Sequence, residues 1–501
     1  MNSIKSLAKE TAIYGVSSII GRMLTWLMVP LYTAYLNAAD YGIVTELYAY
    51  SAFLIVLYTY GMETAYFRFS TRKSSGENII FNNSETSLLI SSLVISGLLI
   101  LLSTPITNYL EYPGRERYII WFAVILILDS ILAIPFARLR LEGRAKRFAA
   151  TKLTNIFVTI VLNIFFIVIC LGIYKGQYLP YLKPVILKLY NPDRLVDYIF
   201  ISNLIASVVM SLMLTDIWLK IRISINRDIL VPMYKYALPL LIMGLAGVTN
   251  EMLSRAMLKK ILPENFYPEY SNQAALGIFG AVYKLSVFMT LAIQAFRYAA
   301  EPFFFSRSGD KNAKVLYSEV MHWFIIFGTL AYLLLSLNLD IIANLFLRSP
   351  EYHEGLIVVP VLLLANLFLG IYFNLSVWFK LTDKTYFGMY ISLGGALITI
   401  VLNLILIPLF GYLGSAYVTL VCYLSMCLIA QFLGKRHFPI PYQTRRDLTY
   451  IILSVILVYI GLNIDIEQLI IRKIIQILII AVYISIIILF ERNKLKQVLT
   501  K

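Results

Sequence analysis

Residues 151–174 read TKLTNIFVTIVLNIFFIVICLGIY. From Leu153 to Tyr174 no side chain is charged, and a helix of that length, rising about 1.5 Å per residue, spans the ~30 Å hydrocarbon core of a bilayer. Inside the run lies Thr159-Ile-Val-Leu-Asn163, and the same pentapeptide returns 240 positions later as Thr399-Ile-Val-Leu-Asn403, again within an apolar run. The same offset pairs Arg140 with Lys380, Leu141 with Leu381 and Arg144 with Lys384 in the polar segments just before. Each copy falls in the fifth span of a set of six. Because six is even, both sets start on the same side of the membrane, and the repeat is parallel. Paired bundles of this kind are a transporter architecture, with a substrate site between the halves and alternating access by rocking.

Comparable apolar runs recur from residue 11 to residue 490 with no polar interval long enough for a soluble domain. Of the 501 residues, 59% are hydrophobic and 14% charged, with a mean hydropathy of +0.77, against roughly 45–50% apolar and about 25% charged in soluble domains. The fold class expected is all-α and integral to the membrane, with about fourteen transmembrane helices. They divide into an N-terminal six-helix bundle (1–219), a C-terminal six-helix bundle (220–435), and a further two-helix hairpin with a cytoplasmic tail (436–501). The tightest junction is Phe410-Gly411-Tyr412, which leaves room only for a sharp turn.

With the N-terminus inside and every span crossing once, the cytoplasmic side collects 29 of the 43 Lys and Arg residues, the opposite side 11, and three lie within spans. This bias puts both termini in the cytoplasm. The net charge of +15 is therefore a topology signal spread over short loops, and nucleic acid is not an expected partner. The polar start, with Lys5 and Lys9, leads into a segment too long for a signal-peptide core and lacking a small-residue cleavage site, so the first span is expected to be retained. Cys170, Cys422 and Cys427 all lie in apolar runs, implying neither disulfides nor a metal site. His322, His353 and His437 are scattered at span ends or in loops. No phosphate-binding loop, nucleophile elbow or paired His-Glu metal motif is present, so neither catalytic residues nor a cofactor are expected, and ATP bound to this chain is not the energy source.

Ionisable groups inside the spans carry the information, because a charge in hydrocarbon costs several kcal/mol unless it faces a cavity or a partner. The cations are Arg22 in the first span, Arg255 in the seventh and Lys284 in the eighth; the acids are Glu46, Asp129 and Glu251 in the second, fourth and seventh. Arg22, Lys284 and Arg255 form the expected substrate-binding set, since guanidinium forks and an ammonium suit phosphate oxygens. Asp129, Glu46 and Glu251 are the expected ion-coupling set. Structural readings stand beside these. Glu251 and Arg255, four apart on one face, can neutralise each other; Lys284 can snorkel to the interface; Asp129 or Glu46 can serve as a partner for Arg22.

The order of several short motifs resembles the polysaccharide transporter and oligosaccharide flippase family. These are Tyr14-Gly-Val-Ser-Ser-Ile-Ile-Gly-Arg22, Pro30-Leu-Tyr32, Asp40-Tyr-Gly42, Gly61-Met-Glu-Thr-Ala-Tyr-Phe-Arg68, Tyr236-Ala-Leu-Pro239, Gly277-Ile-Phe-Gly-Ala-Val-Tyr-Lys284 and Gly370-Ile-Tyr-Phe-Asn-Leu-Ser-Val-Trp378. That family shares a superfamily with lipid II flippases and the multidrug and toxic compound extrusion antiporters. The resemblance implies a V-shaped pair of six-helix bundles that moves an undecaprenyl-pyrophosphate-linked oligosaccharide to the outer leaflet of the inner membrane. Its implied partners are the lipid-linked oligosaccharide, membrane lipids, and a glycan polymerase or glycosyltransferases. In lipid flippases of the superfamily, cavity arginines of the first and eighth helices bind pyrophosphate; Arg22 takes the first place, and Lys284 stands at the second. Three rivals remain. A drug/cation antiporter would carry an acid in the first span, and none lies between Thr11 and Leu36. A glycan polymerase or ligase would need an acid/base constellation in a large outer loop, and Lys175 to Leu195 has none. A lipid II flippase differs only in cargo.

Overall fold

The computed structural model describes residues 19–499 except 22, 25, 72–75, 465 and 467. The described residues form helices, tight turns and short connections with no strand. Among the described residues eleven helices are long and apolar enough to cross a membrane. The Tyr386–His437 helix, at 52 residues, contains a break at Gly411 and so holds two of the expected spans. Thr444–Leu462 adds a further helix, of 19 residues, outside those eleven. The architecture is thus compatible with about fourteen crossings. The chain separates into two compact units, Met1–Ala256 and Met257–Lys501.

In the first unit, Ala38–Thr59 is capped by Asn37, whose side chain accepts from the Asp40 amide at 2.8 Å. It ends at Tyr60-Gly61, both left-handed (φ 33° and 77°), before Met62–Thr71 resumes. Glycine is needed at 61 on two counts: the backbone is left-handed, and a Cβ would lie 2.9 Å from Leu240 Cβ and 3.0 Å from the Ala237 carbonyl.

The third span begins earlier than its apolar residues suggest. Hydropathy starts it at Ser84, whereas the helix runs Glu77–Leu101. Segment 222–226 explains the difference by donating backbone N–H groups to the polar first turns: Arg222 to Asn82 Oδ1 (3.2 Å), Ser224 to Thr86 Oγ1 (3.1 Å) and Asn226 to Asn83 Oδ1 (2.6 Å). The outer stretch expected as a loop, Lys175 to Leu195, contains short helical pieces at Pro180–Leu182, Lys183–Leu189 and Pro192–Arg194.

In the second unit, Asn272–Tyr283 passes through a 3-10 turn, Lys284–Ser286, into Val287–Ser306. Ala313–Leu337, Val358–Leu375, Tyr386–His437, Thr444–Leu462 and Leu469–Leu499 follow. Gly411 (φ 59°, ψ −137°) makes the sharp turn expected at 410–412. Tyr267 is stacked on Tyr412 (centroids 4.7 Å apart) and on Tyr270 (4.8 Å) beside that turn, and its hydroxyl accepts from the Tyr412 amide at 3.2 Å.

The repeated pentapeptide behaves alike in both units. Asn163 Nδ2 donates to the Thr159 carbonyl at 2.7 Å, and Asn403 Nδ2 to the Thr399 carbonyl at 2.7 Å, with both asparagines fully buried.

Candidate functional site

Arg22 lies outside the described residues. The helix of Val29–Tyr35 that follows is held against the fifth span by Tyr32, whose hydroxyl donates to Asn163 Oδ1 at 3.1 Å. The same asparagine therefore serves the internal repeat and the seating of the first span.

Around Tyr32 the first unit builds a polar, aromatic strip. Tyr41 is 6.3 Å away, centroid to centroid, and Arg255 is within electrostatic range of the Tyr41 hydroxyl. Tyr48 also acts electrostatically on Tyr32; its hydroxyl accepts from Asn203 Nδ2 at 2.9 Å and its ring meets Phe122 edge-on at 5.7 Å. Tyr48 in turn lies within electrostatic range of Asp129. Asp129 accepts from Ser207 Oγ at 3.0 Å and feels the opposite charge of Lys152, whose Nζ sits 4.1 Å from the centre of the Phe136 ring. Tyr32, Tyr41, Tyr48, Asp129, Lys152 and Arg255, drawn from five spans, are thus linked by ring contact or electrostatics within one unit. Such a set can offer hydrogen bonds to sugar hydroxyls and positive charge to an anion.

The remaining expected residues are placed differently from one another. Glu46 is fully buried and accepts a hydrogen bond from the Tyr112 hydroxyl. Arg255 is buried, but its guanidinium donates to the backbone carbonyl of Glu251 at 3.2 Å. The Glu251 side chain is exposed. Lys284 is half-buried and opens the 3-10 turn that interrupts the eighth span; such a turn inside a long helix is a common hinge element. Of the predicted set, Asp129 and Arg255 belong to the strip in the first unit, and Lys284 belongs to the second.

Glu85 is a residue that sequence reading missed. It lies two turns into Glu77–Leu101, is fully buried, and both carboxylate oxygens lack a hydrogen-bond partner. At i−4 and i+3 its neighbours are Phe81 and Leu88, members of an apolar core with Met62, Tyr66, Leu132 and Phe136. The helix start hid it, since Glu85 reads as a span-edge acid when the span begins at Ser84. Among the described residues no three His, Cys, Asp or Glu side chains converge as a metal site.

Two sequence families match parts of the chain: one described as "Polysaccharide biosynthesis protein" over residues 35–175, and MatE over residues 268–405. No curated protein matches the chain. Among solved structures, the lipid II flippase MurJ in an inward closed conformation aligns over 96% of this chain and 99% of its own, with a TM-score of 0.71 at 15% identity. A multidrug resistance MATE family transporter of the MOP superfamily, inward-facing, aligns over 83% and 95%, with a TM-score of 0.62 at 14% identity. An outward-facing structure of that family aligns over 86% and 95%, with a TM-score of 0.55 at 14% identity. At these identities the likeness is one of fold, and it runs along most of the chain. The solved structures matched are a lipid II flippase and multidrug transporters.

Proposed function

We propose that this chain, with the transporter fold of the multidrug/oligosaccharidyl-lipid/polysaccharide exporter superfamily, flips an undecaprenyl-pyrophosphate-linked oligosaccharide from the cytoplasmic to the outer leaflet of the inner membrane. Both termini face the cytoplasm on this reading, in keeping with the Lys and Arg distribution. The observation that carries it is the likeness to a lipid II flippase along nearly the whole chain, joined to a polysaccharide-biosynthesis match over residues 35–175. Arg22, Lys284 and Arg255 hold the pyrophosphate, and the tyrosine strip of the first unit faces the sugars. The polyprenyl tail stays in lipid. Ion coupling falls to Asp129, Glu46 and Glu251, and we add Glu85. An unpaired carboxylate in an apolar core is costly, so Glu85 is stable there with a proton or a small cation bound.

The test removes the protein from cells and follows lipid-linked oligosaccharide by leaflet. Accumulation in the inner leaflet is expected, with export restored by the wild-type chain and not by Arg22→Gln or Lys284→Gln variants expressed to the same level. Normal export by both variants would sink the cation-site reading. The MatE match favours a second reading, drug/cation antiport; drug sensitivity on removal, with glycan export unchanged, would select it.

A further inference from the structure

The stretch from Lys175 to Arg194, between the fifth and sixth spans, holds no acid/base constellation, yet it is neither a short turn nor a bare tether. It carries Lys175, Lys183, Lys188 and Arg194 against one acid, Asp193. The Lys and Arg distribution assigns it to the outer face, where it gathers four of the eleven cations counted on that side. Cations there oppose the bias that orients the chain, so they call for a local reason.

The stretch is built onto the first unit. Ile186 and Tyr190 pack with Cys170 and Leu171, near the end of the fifth span, and with Tyr198 in the sixth. Tyr190 stacks on Tyr198 with centroids 4.7 Å apart, and the Asn191 amide donates to the Tyr198 hydroxyl at 2.9 Å. With Ile186 anchored, Pro180–Leu182 and Lys183–Leu189 leave other side chains outward. Leu182, Val185 and Leu189 follow at i, i+3 and i+7, the spacing of one helical stripe, and all three are exposed, Leu189 at 78%. Tyr181, beside the stripe, is 71% exposed. Lys175, Lys188 and Arg194 are exposed as well.

An apolar stripe with tyrosine and lysine around it is the make-up of an element lying in the membrane–water boundary. Leu and Val reach acyl chains, Tyr sits at headgroup level, and Lys and Arg meet lipid phosphates. The position agrees with the composition. The stretch starts where the fifth span ends at Tyr174 and stops where the helix Leu195–Leu212 begins. The fifth span itself exposes an apolar row, Phe157, Val161, Phe165 and Ile169, of the kind that acyl chains cover. Lipid therefore already lies alongside the span from which the stripe continues.

We infer that residues 175–194 form an interfacial strap that seats on the outer leaflet and binds anionic phospholipid, with the stripe among the acyl chains and the cations on the phosphates. Each cation at an anionic surface favours such headgroups over zwitterionic ones by roughly fivefold. The inference stands whichever cargo the protein carries.

Photo-crosslinking of the full-length protein tests it. A benzophenone side chain replaces Val185, Leu189 or, as a mid-span reference, Phe157. Each protein is placed singly in nanodiscs of phosphatidylglycerol and phosphatidylcholine in equal amounts, irradiated, and its adducts identified by mass spectrometry. Positions 185 and 189 are expected to give phospholipid adducts with phosphatidylglycerol in excess by about fivefold or more. Position 157 should give lipid adducts with little headgroup preference, and those adducts also report that each variant is folded. Combining Lys183→Gln with Lys188→Gln should keep the adduct yield at 185 and 189 and lower the excess severalfold. Absence of lipid adducts at 185 and 189 while 157 gives them, equal capture of the two lipids, or an excess unchanged by the double substitution overturns the proposal. Irradiation in cells should likewise yield phospholipid; protein adducts at both positions in its place would put a partner or a second copy on the stripe and overturn it too.

Discussion

Replacing Glu85 should make the protein more stable and less active. Its two carboxylate oxygens are buried without partners between Phe81 and Leu88. A buried polar group left unsatisfied costs roughly 1–3 kcal/mol even when neutral, and replacement by an apolar group removes that cost. Glu85→Leu is therefore expected to stabilise by about 2 kcal/mol, less a small loss from imperfect filling. For a unit of this size, roughly 2–4 °C per kcal/mol puts the rise in Tm at about 4–8 °C. Glu85→Gln, which keeps the volume and stays uncharged, should change Tm by no more than about 2 °C, since its amide is as poorly satisfied as a carboxylic acid. Both variants should lower ion-driven flipping by about tenfold or more in proteoliposomes carrying a labelled lipid-linked oligosaccharide. Stability is read by tryptophan fluorescence on heating in nanodiscs. A clear fall in Tm for Glu85→Leu would mean that the carboxyl has a stabilising role the structure does not show. Wild-type flipping by both variants would remove Glu85 from the coupling set.

Gly411→Ala should destabilise the second unit by about 2–4 kcal/mol, measured as loss of thermal stability. Its φ of 59° with ψ of −137° is a conformation nearly confined to glycine, and the new Cβ would meet the Tyr267 hydroxyl and lie 2.8 Å from Phe266 Cε1. At Asp216 the hydrogen bonds from Arg147, one of them 2.9 Å, hold the carboxyl below its ordinary pKa. A lowered folded value means stabilisation that is present above the unfolded value and lost as pH falls through the folded one. Asp216→Asn should thus lower stability at neutral pH by roughly 0.2–1 kcal/mol, as befits an exposed pair, and the difference from wild type should vanish in acid.

Features set by local chemistry were legible in the sequence. Apolar length alone marks the spans, glycine between two aromatics marks the turn at 411, and the Thr159 and Thr399 pentapeptides mark the repeat, whose asparagines make the same bond in each unit. The candidate site was legible only as residue types. Periodicity puts Glu251 and Arg255 on one face, and the bond from the guanidinium to the Glu251 backbone carbonyl is visible only in the structure. The bond to Glu46 from the Tyr112 hydroxyl, 66 residues along the chain, could not be read from spacing.

The sequence by itself determined that this chain lives in a bilayer, with many helices and an internal repeat, because hydropathy, length and turn residues are properties of short stretches. Only the tertiary structure decided which ionisable groups lose water and what they meet. His322 finds Asp447 and Glu491 across 125 and 169 residues of chain, and Glu85 finds nothing. Burial and partner choice depend on helix packing, and no spacing within one helix specifies them.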